Sequence, residues 1–194
     1  MVLDIKNKLF QHRVVCTVCH NELSMNNIRC SSCDHESDES LAFIYDIELS
    51  DYLCNIVKRL EKHIIEYSQI IKRGVDTEET HDVPFGTLYQ RLIQHAPDEQ
   101  LISALLHLDG ISITKSSKIK LWLFSFSIIE LPPLLRFARH NMPIVSIWIG
   151  HRDPITSLWL NKSMSSLNGL KSTGMQFLNY SLAIISMLSY DKKK

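Results

Sequence analysis

Four cysteines fall within eighteen residues, as Cys16-x2-Cys19 and Cys30-x2-Cys33. Two residues between cysteines let both sulfurs turn toward one point. Two such knuckles make a tetrahedral four-sulfur site suited to Zn2+. The ten-residue spacer between them is enough for a tight hairpin. His20 and His35 flank the knuckles, but four thiolates already complete a closed structural site, so both are expected to be non-ligands. Such a site has no open position for water. It supports folding or presents a surface rather than carrying out hydrolysis. The opening residues, MVLDIKNKLF, lack the apolar core of a secretory signal. Reduced, metal-binding thiols are therefore expected in place of disulfides.

Asp109 is the second candidate for chemistry. It closes the apolar run 101–108, and Gly110, Lys115, Lys118 and Lys120 follow it. On spacing alone, Asp109-Gly110 is a turn signal between two strands. A carboxylate at the end of a strand can instead hold a metal ion, since Mg2+ prefers carboxylate oxygens. His107 lies two residues earlier and would share a strand face with Asp109. It reads as an ordinary strand histidine satisfied by hydrogen bonding.

The elements that must position these residues show in the hydrophobic pattern. Residues 41–49 alternate as a strand, and Ser50 or Asp51 can cap the helix that follows. That helix is predicted over 51–73, with Leu53, Ile56, Val57, Leu60, Ile64, Tyr67 and Ile71 on one stripe. Cys54 lies beside the stripe and is expected to be a small buried hydrophobe. Residues 75–84 form an acidic linker, with a short helix expected over 86–95. From 101 onward come apolar runs of strand length, 101–109, 121–129 and 143–149, then a helix over 155–169. Residues 175–190 suit a strand, a helix or part of each. No apolar run is long enough to span a bilayer; the best, Phe177–Tyr190, is interrupted by Asn179, Ser181, Ser186 and Ser189.

The zero net charge hides an asymmetry. Residues 1–100 hold 10 Lys/Arg against 17 Asp/Glu, and residues 101–194 hold 11 against 4. A basic half suits a polyanion partner, although attraction between the halves or plain solvation would also explain it. Lys115, Lys118, Lys120, Arg136, Arg139 and Arg152 are the candidate phosphate contacts.

The order of motifs after residue 100 resembles the opening of the catalytic domain of CACTA-like DDE transposases. The matching residues are Asp109-Gly110, Lys115 to Lys118, Trp122, Glu130-Leu131-Pro132-Pro133, Arg136, Asn141, Trp148, Gly150 and Pro154. Trp122 is followed by Leu123 where that family has Pro, and Ser146-Ile147-Trp148 replaces its Gly-Leu-Trp. The resemblance implies a ribonuclease-H-like core: an antiparallel meander of three strands, then a helix and a fourth strand. It also implies that Asp109 is the first of three metal-binding acids, with Asp191 as a candidate second. Phosphoryl transfer needs two Mg2+ ions to stabilise the attacking and leaving oxygens, and the third acid would lie beyond Lys194. Glu130 belongs to the ELPP motif and is not a substitute.

The expectation is thus an α+β chain in three parts. Residues 1–50 would be a zinc-ribbon-like module, 51–99 a helical linker region and 100–194 a partial ribonuclease-H-like core. The functional expectation is a truncated, transposon-derived protein. It would be intracellular, and nuclear if it binds DNA, with Zn2+ as a structural ion and no competent cleavage site. The alternative is a non-catalytic zinc-ribbon module that binds nucleic acid or protein.

Overall fold

The computed structural model describes residues 10–24, 29–33, 38–73, 82–95, 100–112, 118–173 and 180–185. The fold is α+β. Its strands are β1 (Phe10–Cys16), β2 (Glu22–Leu23), β3 (Leu41–Ile47), β4 (Gln100–Ser112), β5 (Lys120–Ile128), β6 (Ile144–Gly150) and β7 (Tyr180–Ile185). Its helices are α1 (Leu49–Arg73), α2 (Thr87–His95), α3 (Pro133–Arg136) and α4 (Thr156–Thr173). The strands form one sheet in the order β2-β1-β3-β6-β5-β4-β7. Pairing is antiparallel for β1 with β2, β1 with β3 and β3 with β6; β7 runs parallel to β4.

The predicted strands 101–109, 121–129 and 143–149 correspond to β4, β5 and β6, and the helix over 155–169 to α4. The undecided stretch 175–190 contains β7, and its remaining residues lie outside those described. Segment 1–50, expected as a zinc-ribbon-like module, shares a sheet with β6: β3 pairs with it, with Phe43 opposite Ile149 and Tyr45 opposite Ile147. The strand-forming character of Val14, Val15, Phe43, Ile44 and Tyr45 carries the cysteine segment into the main sheet.

Two compact units emerge, each discontinuous in sequence. The first comprises Met1–Leu49, Leu108–Phe124 and Ile144–Ser166; the second comprises Ser50–His107, Ser125–Pro143 and Leu167–Lys194. In the first unit Val14, Val15, Ala42, Ile44, Trp148 and Trp159 are buried. Among them sits a polar knot. Arg13 Nε donates to Asp46 Oδ2 at 2.8 Å, and its two Nη atoms donate to the carbonyls of Leu158 at 3.2 Å and Trp159 at 2.8 Å. Ser146 Oγ and Ser163 Oγ donate to Asp46 Oδ1 at 2.6 and 3.1 Å, and Trp159 Nε1 donates to Ser146 Oγ at 2.9 Å. A buried charge is tolerated when its partners are this complete. The knot ties β1, β3 and β6 to α4.

The second unit is organised by α1. Its stripe is buried as the periodicity predicts, from Leu53 through Ile56, Val57, Leu60, Ile64 and Tyr67 to Ile71, with Cys54 beside it. Each large apolar side chain so placed contributes on the order of 2 kcal/mol. Tyr67 and Ile71 pack with Tyr89 and Ile129, flanked by Phe85, Leu92 and Leu105. No helix among the described residues is long and apolar enough to cross a membrane.

Candidate metal centre

The four sulfurs predicted from spacing do converge. Those of Cys16, Cys19, Cys30 and Cys33 all lie within 4.8 Å of one another. Cys19 and Cys30 approach to 3.3 Å and Cys16 and Cys33 to 3.8 Å. Cys16 is the last residue of β1, and the chain then turns tightly. The Cys16 amide donates to the Asn21 carbonyl at 2.9 Å, and the His20 amide donates to the Cys16 carbonyl at 2.9 Å. That turn places His20 at φ 66°, a left-handed conformation unusual for a side chain larger than glycine. Asn21 Nδ2 donates to Ser32 Oγ at 3.2 Å and links the two knuckles. The base is fixed by Thr17, whose amide and hydroxyl both donate to the Ser40 carbonyl, at 2.7 and 2.9 Å.

The His20 ring is exposed and is not part of the four-sulfur group. His35 lies outside the described residues. Crowding makes the thiols unequal. Hydrogen bonding from Cys19 brings the Cys30 thiol down to about 7. Hydrogen bonding with Cys19, then burial, pushes Cys33 up to about 12. Cys19 is lowered by a backbone hydrogen bond from Asn21 and by Cys33. Its contacts with Cys30 and Cys16, together with burial, nevertheless leave it raised overall. One thiolate forms readily in such a cluster and its neighbours then resist ionising. A divalent cation at the centre removes that conflict. Soft, closely grouped sulfurs are the donor set of a closed structural site.

Asp109 lies within β4 rather than at its end. The strand continues to Ser112, so Asp109-Gly110 is not a turn. The carboxylate is exposed. Gly110 has a packing reason, since a Cβ there would meet the Trp122 indole at 3.0 Å. The short side on β4 accommodates the large one on β5. His107 Nε2 lies 2.9 Å from Ser127 Oγ, and burial lowers its pKa, which keeps the imidazole neutral. Asp191 and Lys115 lie outside the described residues.

The cationic candidates separate. Arg139 and Arg152 are exposed. Lys120 pairs with Asp153 at 2.8 Å and Lys118 with Glu39 at 3.5 Å, both at the surface. Arg136 is not available to a phosphate, which corrects its assignment. Its side chain is fully buried, its Nη atoms donate to Asp82 Oδ1 and Oδ2 at 2.5 and 2.7 Å, and it also donates to the carbonyls of Ile129 and Leu131. Burial of Asp82 opposes its ionisation, but the Arg136 guanidinium and the Tyr67 hydroxyl win and hold the acid below the usual carboxylate range.

The rest of the ELPP segment is also structural. Glu130 is buried just after β5 ends. Its Oε2 accepts the Ser103 amide at 2.8 Å and its Oε1 the Tyr89 hydroxyl at 2.6 Å, while the Ile129 amide donates to the Ser103 carbonyl at 2.9 Å. The carboxylate gives the Ser103 amide an acceptor just past the end of β5. Burial raises its pKa against these hydrogen bonds. Asn141 Nδ2 donates to the Leu135 carbonyl at 2.9 Å, and Asn141 Oδ1 accepts from Arg59 at 2.8 Å. Sequence reasoning missed Asp46, Asp82 and Arg13 as partners. Nothing in the spacing of such residues marks a long-range buried pair.

The family described as "Protein of unknown function (DUF1258)" matches residues 1–188. That is nearly the whole 194-residue chain, and the chain belongs to this family. No curated protein matches it.

Proposed function

We propose that this DUF1258 member is a zinc-stabilised, transposase-like protein that binds DNA. Its β4–β7 region is read as the opening of a ribonuclease-H-like core, and its ancestral chemistry as metal-dependent DNA cleavage and strand transfer. The observation that carries the reading is the strand arrangement. β4, β5 and β6 are successive in the chain and neighbours in the sheet; α4 follows, and β7 returns parallel to β4. Antiparallel running of β4 and β5 is supported by their contacts, since His107 meets Ser127 while Gly110, further along β4, meets Trp122, earlier on β5. On this reading Asp109 is the first metal-binding acid, displayed on the exposed part of β4.

Zn2+ is the ion best suited to four thiolates. It supports the fold and takes no part in chemistry on DNA. Glu130 cannot supply another acid to Mg2+, because both its oxygens are engaged inside the protein. A single exposed carboxylate such as Asp109 holds a divalent ion weakly. A nuclear location follows from this reading. Calorimetric titration with Mn2+ tests it: wild type should bind and Asp109→Asn should not, with zinc content unchanged. Equal binding by both proteins removes the transposase-like assignment. It would leave the second reading, a non-catalytic zinc-bearing module that binds nucleic acid or protein, which the converging cysteines support by themselves.

A further inference from the structure

The segment between β5 and β6 combines a heavily braced base with an apolar tip. Leu134 is 92% exposed and Phe137 53% exposed, the two most exposed large apolar side chains on this segment. Neither is there to fill a core. Pro132 and Pro133 restrict the backbone at the start of α3. Arg136 sits beneath the tip with its full set of buried bonds to Asp82, Ile129 and Leu131, and its guanidinium carbon lies 5.8 Å from the Phe137 ring centre. On the far side Asn141 clamps the Leu135 carbonyl, and Arg59 of α1 donates to the His140 carbonyl at 2.9 Å and to Asn141 at 2.8 Å. A buried ion pair is weak evidence of added stability but a good means of fixing one conformation. Here it fixes a short loop whose outermost atom groups are hydrocarbon.

Asp82 beneath the tip is consumed by Arg136, and the exposed charges of the segment itself have one sign. From Leu131 to Pro143 the sequence contains no acid, and Arg139 and His140 are both exposed. A rigid apolar point flanked by cations complements a stacked, polyanionic ligand. Proteins that enter the minor groove insert apolar wedges between base steps in this manner, with cations on the neighbouring phosphates.

We propose that Leu134, backed by Phe137, is a wedge that enters between base pairs of duplex DNA, with Arg139 on an adjacent phosphate. The proposal rests on the DNA-binding part of the function read above, and adds the residues and the mode of contact. Leu134 is a safe site for substitution because its side chain touches little of the protein.

The test uses the full chain, zinc-loaded, with short duplex DNA carrying 2-aminopurine, whose fluorescence rises on unstacking. Wild type should bind and raise the fluorescence. Leu134→Ala should melt at the same temperature, bind about tenfold more weakly as the inserted apolar group is lost, and leave the fluorescence flat. Arg139→Gln should keep the fluorescence rise and lower the slope of log affinity against log salt by about one. If wild type and Leu134→Ala bind alike, or wild type binds without a fluorescence change, the wedge is overturned and the DNA-binding reading stands. If wild type fails to bind DNA even at low salt, both are overturned, and the tip belongs to a protein contact.

Discussion

Asp46→Ala probes the polar knot of the first unit. The carboxylate accepts three side-chain hydrogen bonds, from Arg13 at 2.8 Å, Ser146 at 2.6 Å and Ser163 at 3.1 Å. Its removal leaves the Arg13 guanidinium buried without its counter-charge. Breaking one partner of a buried pair costs about 3–5 kcal/mol. Arg13 keeps the carbonyls of Leu158 and Trp159, so the lower end of that range, about 3 kcal/mol, is expected. For a chain of this size that corresponds to a melting shift of roughly 6–12 °C. Urea unfolding followed by tryptophan fluorescence suits the purpose, because Trp159 donates to Ser146 within the same knot. The paired substitution Arg13→Met with Asp46→Leu leaves no charge behind and should cost about 1 kcal/mol or less, below the single change. A single-variant cost under about 1 kcal/mol, or a double variant worse than the single, would show that the knot is not the buried charge pair described.

Three further outcomes follow from the same structure. Elemental analysis should find one zinc per chain, and Cys16→Ser should lose it and lower the melting temperature, since Cys16 ends β1 between buried Val15 and the Thr17 anchor. The Asp82 carboxyl has a depressed pKa in the folded protein, so its contribution to stability is complete above the unfolded value of about 3.9 and is lost as pH falls through the folded value. Urea unfolding across the acid range should therefore show a steeper decline for wild type than for Asp82→Asn. Gly110→Ala brings a methyl group against the Trp122 ring at 3.0 Å and should cost about 1–3 kcal/mol in thermal unfolding, with Gly110→Val worse.

Much of the fold could be read from the chain because local periodicity and burial agree. The α1 stripe from Leu53 to Ile71 is buried as its spacing requires, and β4, β5 and β6 follow their apolar runs. The four cysteines could be found from spacing alone, because knuckle geometry is local. What depended on distant partners could not. β1 contains Gln11, His12 and Arg13, residue types most often found at the surface, yet Arg13 is buried because Asp46 and two α4 carbonyls await it. Arg136 looked like a phosphate contact for the same reason: its partner, Asp82, lies 54 residues earlier. Asp109-Gly110 carries turn residues but stays in the strand, where Gly110 makes room for Trp122 on β5.

The transposase-like account depends most on the exposed carboxylate of β4 being a place for a divalent ion. Crystals of the zinc-loaded protein soaked in Mn2+ and measured at the manganese absorption edge would settle it. The account predicts an anomalous peak at bonding distance, about 2.1–2.3 Å, from a carboxylate oxygen of Asp109. A map with no manganese density beside that residue, from crystals in which the same acid is clear of lattice neighbours, would contradict it.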